Sequence, residues 1–173
     1  MLLATGLARM IGAVSDGYAF TTRDAGMGQA PFRSPSVFNF HPPDYPLPQG
    51  GGLFSPPSKL ISTASVLARH NFVYDWTVAA DGRGEFTAQA QITGSTGTQL
   101  DWSTWEAFGT DVDAMIDRVN LLALNGSMTA AQRAAMKSAV AAVTNANAAL
   151  QARKRAQSAL YIAASSPLFQ VAR

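Results

Sequence analysis

Apolar residues recur at helical spacing from the start of the chain, where Leu3, Leu7, Met10, Ile11 and Val14 share one face and predict a helix over 2–14. From Ser15 to Pro57 that period stops, and proline, glycine and aromatic residues take over. Residues 15–57 therefore read as an extended loop region, either functional or clamped to a helical surface by its rings. Beyond Pro56 and Pro57 the helical period returns, with Ser58 as the cap, Leu60, Ala64, Leu67, Asn71 and Tyr74 in step, and Trp76 near the end. Residues 78–103 are irregular again. Within them Phe86, Ala88, Ala90 and Ile92 alternate with Thr87, Gln89 and Gln91, the spacing of a short strand or hairpin arm.

The last third carries the clearest signals. Thr110 is placed to cap a helix whose Val112, Met115, Ile116, Val119 and Leu122 form one apolar stripe, and Asn125-Gly126 marks its stop. Thr129 followed by Gln132 is a capping-box pattern, opening an alanine-rich helix with Met136, Val140 and Val143 on one face. A third helix, from Ala148 to Ala164, carries Ala149, Ala152, Ala156, Leu160 and Ala163 and is expected to end at Pro167. Small residues on these helices let their backbones approach closely. The expected fold is mainly α: an antiparallel helical bundle with long Pro/Gly/aromatic-rich loops and at most one short β hairpin. Its organisation is a single helical domain over 1–173 or the C-terminal fragment of a larger helical protein, with a three-helix part over 110–173. A helical pattern that begins at Met1 favours the fragment.

A chain of 173 residues is enough for one ordinary domain, able to bury about 70% of its unfolded surface. Apolar residues make up 47% and charged residues 14%, the latter well below the roughly 25% of a typical soluble domain. No window approaches the roughly 18 apolar residues of a membrane span. The absence of cysteine excludes disulfides, thiolate nucleophiles and Cys-ligated metal centres. Charge is uneven: residues 1–117 hold six basic and eleven acidic side chains, and residues 118–173 hold seven basic and no acidic ones. Arg153, Lys154 and Arg155 are the one basic run, without interleaved aromatics, so nucleic-acid binding is not expected and the two halves are instead expected to face each other.

Candidate chemistry is sparse. Asp111, Asp113 and Asp117 have oxygen-ligand spacing, but acids in a first helical turn are explained by the helix dipole, so no metal is expected. No cofactor is expected either, because Gly26-x-Gly28 lacks the third glycine and the preceding strand of a dinucleotide-binding turn. His41, with Asp44 and Tyr45 in the proline-rich loop, is the one acid–base candidate: His41 would exchange the proton and Asp44 would orient it. No nucleophile motif accompanies them, and His70 lies within a helix. Phe32, Phe38, Phe40, Tyr45 and Phe54, spaced by prolines, fit either a ligand or partner platform or a set of rings anchoring the loop. Trp102 and Trp105 read as staples unless they are exposed together.

The run Met27-Gly28-Gln29, then Phe32 through Tyr45, resembles the signature near the C-terminal end of the bacterial domain-of-unknown-function 1800 proteins. Asp117-Arg118-Val119-Asn120-Leu121-Leu122 and the ending Ala159 to Val171 agree in order, with Leu168 where an acidic residue is common. The resemblance covers nearly the whole chain. It implies a helical protein, exported to the periplasm or exterior and usually longer than this sequence. Such proteins are often encoded beside an exported family resembling sulfatases and alkaline phosphatases, which implies an envelope protein, or the remainder of the same protein, as partner. It brings no catalytic residues. Two function classes follow. One is a non-catalytic structural or partner-binding module. The other is part of a hydrolase-like enzyme acting on an extracellular polymer through the His41/Asp44/Tyr45 loop.

Overall fold

The computed structural model describes residues 2–30, 32–47, 49–81 and 86–170; the side chain of Ala149 and the terminal Val171 lie outside the described residues. Helix α1 (Leu2–Ile11) buries Leu7 and Ile11 and stops earlier than its apolar period suggests. Gly12 breaks it with φ +71°, where a Cβ would press on Asp101 at 3.3 Å. Val14 therefore leaves the expected helix. Val14–Ser15 (β1) pairs antiparallel with Thr98–Gln99 (β2), and the Ser15 and Thr98 hydroxyls meet at 2.7 Å. This small sheet joins the two irregular regions, whereas residues 86–92, expected to alternate as a strand, form none. Asp16 fixes the junction by accepting hydrogen bonds from the Ser95 hydroxyl, the Tyr18 N–H and the Gly97 N–H, which hold its carboxyl below the usual range. Helix α2 (Tyr18–Asp24) follows, inside the stretch expected to be loop throughout.

A 3-10 turn at Pro56–Leu60 precedes α3 (Thr63–Trp76). The cap is Ser62 rather than Ser58, in a reciprocal box with Ser65. Helix α3 also turns its faces the other way from the expectation. Phe72, Val73 and Trp76 are buried, whereas Leu67 and Tyr74 of the expected core stripe are 59% and 46% exposed. Trp76 is enclosed by Phe72 one turn back on the same helix and by Phe20 and Phe86, with ring centroids 5.0 to 5.2 Å away, so two distant segments converge on that one indole.

After α4 (Ser103–Glu106), helix α5 (Val112–Leu124) is capped by Asp111 rather than Thr110, the carboxylate accepting the Ala114 N–H at 2.9 Å. Met115, Ile116 and Val119 are fully buried, and Asn125 ends the helix in the left-handed conformation. Leu122, expected in the stripe, lies at the rim, and Ala123 and Leu124 take its place inside. Helix α6 (Ala130–Ala141) opens with the Thr129/Gln132 box, and α7 (Ala148–Ser165) runs to α8 (Pro167–Gln170), which Pro167 begins. Helix α7 is the hub, packing on α3, α4, α5, α6 and α8. Its buried Ala152, Ala156, Ala159 and Ala163 allow those neighbours to approach. The fold is mainly helical, with one small two-stranded antiparallel sheet. Among the described residues, no helix is long and apolar enough to cross a membrane.

Candidate functional site

The stretch between α2 and α3 is an ordered arm built almost entirely from turns. Its outer half folds back on itself, because the Leu47 N–H donates to the Leu53 carbonyl and the Ser55 N–H to the Tyr45 carbonyl, both at 2.8 Å. Gly50 is required at the bend, since a Cβ there would overlap the Leu47 side chain at 2.7 Å. Nearer its root, Ser36 bridges Asn39, and Lys59 lies 5.4 Å above the Tyr45 ring. Met27, at the root of the arm, is buried within the hydrophobic core and fastens the arm to the body.

The rings do not do that fastening. Phe32, Phe38 and Phe54 are exposed, Phe32 completely and the other two by more than half, while Phe40 and Tyr45 are half-buried. Val37 and Leu53 of the arm, Ile61 just before α3 and Leu67 on α3 are exposed as well. Of the five rings, Phe32, Phe38 and Phe54 therefore do not anchor the loop, whereas Phe40 and Tyr45 are partly covered. Phe32 also sits at φ +59°, a region that costs a bulky side chain roughly 1–3 kcal/mol and persists where surroundings enforce it. Sequence reasoning missed Leu53, Ile61 and Leu67 as surface residues, because apolar identity alone predicts burial.

His41, Asp44 and Tyr45 share the arm without forming a unit. The His41 N–H donates to the Phe38 carbonyl and the Tyr45 N–H to the Pro42 carbonyl, and no hydrogen bond links the three side chains. His41 Nδ1 is buried without a partner, while the Asp44 carboxylate is exposed. Trp102 and Trp105 are buried, and the Trp105 indole N–H donates to the Met10 carbonyl at 2.7 Å, which makes them staples.

The carboxylates weighed as metal ligands serve helix packing. Asp111 caps α5, while Asp113 and Asp117 of α5 receive Arg133 of α6 at 2.8 and 2.9 Å, and Lys137 joins Asp113 at 2.6 Å. The hydrogen bonds from Lys137 and Arg133 hold the Asp113 carboxyl below its ordinary range. Among the described residues, no group of His, Asp or Glu is arranged to hold a metal. The basic run is matched in the same way. Lys154 reaches Asp81 at 2.7 Å, Arg153 pairs with Asp81 and Glu106, and Arg155 covers the Ala141 and Val143 carbonyls at the end of α6. Burial pushes the Asp81 carboxyl up, but hydrogen bonds from Lys154 and Gln157 and the nearby Arg153 outweigh it and leave it lowered.

Fold and surface together define a helical-bundle module that presents a proline-aromatic arm. A family model described as a protein of unknown function, DUF1800, matches residues 2–171, and the chain belongs to that family. No curated protein and no solved structure matches it.

Proposed function

We propose that this chain is a non-catalytic, partner-binding module whose docking surface is the arm together with the outward stripe of α3. The observation that carries the reading is the outward placement of Phe32, Phe38 and Phe54 on an arm held in shape by its own backbone bonds. Aromatic side chains on an ordered frame lose little freedom on binding, which suits them to a protein interface. The partner is a second protein of the bacterial envelope; the export this requires rests on the family resemblance, and cell fractionation tests it. A photoreactive residue at Phe38, and separately at Leu67, is expected to yield the same intermolecular adduct in the producing cell, with none from Leu121 on α5. Absence of an adduct, or cross-links confined to the same polypeptide, overturns the reading.

A second reading, a hydrolase-like site acting on an extracellular polymer, is favoured by one observation, the buried and unpartnered Nδ1 of His41. On that reading His41→Asn and Asp44→Asn abolish polymer cleavage while leaving thermal stability and the Phe38 adduct intact. Unchanged cleavage in both variants removes it.

A further inference from the structure

Most of the cations on the bundle and α2 are matched. Arg23, Arg133, Lys137, Arg153 and Lys154 each meet a carboxylate, and Arg155 meets carbonyls. Arg9 on α1 and Arg118 on α5 meet neither, yet both line one cavity of about 370 Å³ with Asp101, Thr104 and Leu122. Its walls are fixed. The Trp105 indole bond to the Met10 carbonyl ties α4 to the last turn of α1, and Gly12 lets the chain pass close to Asp101.

Two arginines and one aspartate thus line the same cavity without pairing with one another. Asp101 stays ionised, since the Ser103 hydroxyl and N–H hold its carboxyl below the ordinary range. A bare anion would be drawn to the arginines and repelled by Asp101, whereas a ligand that also carries hydroxyl groups can donate to that carboxylate. We propose that the cavity binds a small hydroxy acid, with its anionic group on Arg9 and Arg118 and its hydroxyls on Asp101 and Thr104. The volume lies toward the small end of the usual 300–1,000 Å³ for ligand sites and suits one sugar-sized unit. Arginine is the side chain whose planar fork matches a carboxylate or phosphate. The acid is either free or the terminal residue of an acidic polysaccharide.

Titration calorimetry with galacturonate, a galacturonate trimer, glucose 6-phosphate, galactose and inorganic phosphate tests this. One or both of the sugar acids, galacturonate and glucose 6-phosphate, should bind at least tenfold more tightly than galactose and than inorganic phosphate. Arg9→Gln and Arg118→Gln should each weaken that binding by about tenfold or more, the loss expected for a charged hydrogen bond. Asp101→Asn should remove the preference over inorganic phosphate. Both arginines are solvent-accessible, so unchanged circular dichroism and melting temperature accompany the expected result. Tighter binding of the trimer assigns a polymer end as the source, and equal or weaker binding of the trimer assigns the free acid. Binding of phosphate as tight as that of the sugar acids, binding insensitive to both arginine substitutions, or no binding overturns the proposal.

Discussion

The arm between α2 and α3 and the bundle of α5, α6 and α7 are both rich in apolar residues, and they use them in opposite directions. In the bundle Met115, Ile116, Val119, Val140 and Leu160 are sealed between helices that satisfy their own backbone hydrogen bonds, so the side chains are free to pack. In the arm proline punctuates the chain into turns, with eight of the chain's nine prolines before α3, and the backbone bonds close locally across a few residues. A segment that thin encloses little, and three of its rings, Phe32, Phe38 and Phe54, are exposed. What differs is therefore the backbone, since only a regular element can offer one continuous face to a core.

The largest effect expected within this contrast is at the point where the N-terminal segments meet α3. Trp76→Ala removes the indole that Phe20, Phe72 and Phe86 surround, and should cost about 3–5 kcal/mol in urea unfolding. A loss below about 1 kcal/mol would mean that the aromatic cluster is not a shared core.

Gly97→Ala comes next. Its φ of +74° disfavours any side chain, and a Cβ would lie 2.7 Å from the Thr87 carbonyl carbon. The backbone conformation alone accounts for roughly 1–3 kcal/mol. A stability equal to the wild type would show that the β1–β2 junction adapts freely.

Acid should loosen the electrostatic matching between the two halves of the chain. The Asp81 and Asp113 carboxyls are lowered from 3.8 in the folded state, so the unfolded chain takes up protons first as pH falls. Their contribution is complete above that ordinary value and is lost as pH drops through the lower folded values. Melting temperature should therefore decline below about pH 4, and Asp81→Asn should make the decline shallower. An identical acid profile in that variant would show that the Arg153 and Lys154 pairing is inert.

The smallest effect on stability belongs to the arm. Replacing Phe32, Phe38 and Phe54 together by Ser should change unfolding free energy by less than about 0.5 kcal/mol per site while sharply reducing the binding of an apolar dye. A loss of several kcal/mol would mean that these rings are packed in solution, and the comparison between arm and bundle would fail.

Much of the bundle was legible in the residues. The Thr129/Gln132 box, the Asn125-Gly126 stop and the alanine spacing of α7 are local signals, and each reports an element that hydrogen bonds within itself. The candidate site was legible as a place but not as an arrangement. The proline-aromatic run marked the arm, whereas the exposure of Phe38 and Phe54 and the separation of His41 from Asp44 depend on what the rest of the chain covers. The sequence also showed no reason to pair Arg9 with Arg118, which α1 and α5 bring to one cavity.

The sequence by itself determined the helical class, the stop of α5 and the capping box of α6, the exclusion of cysteine chemistry, and the opposed charge of the two halves. Tertiary structure decided which face of α3 is buried, because that helix carries apolar residues on both sides and spacing cannot rank them. It decided the pairing of Val14–Ser15 with Thr98–Gln99, since two-residue strands gain their hydrogen bonds only from a distant partner. It also decided that Phe32, Phe38 and Phe54 of the arm are exposed. Burial is a property of neighbours, and those neighbours are set by how the helices assemble.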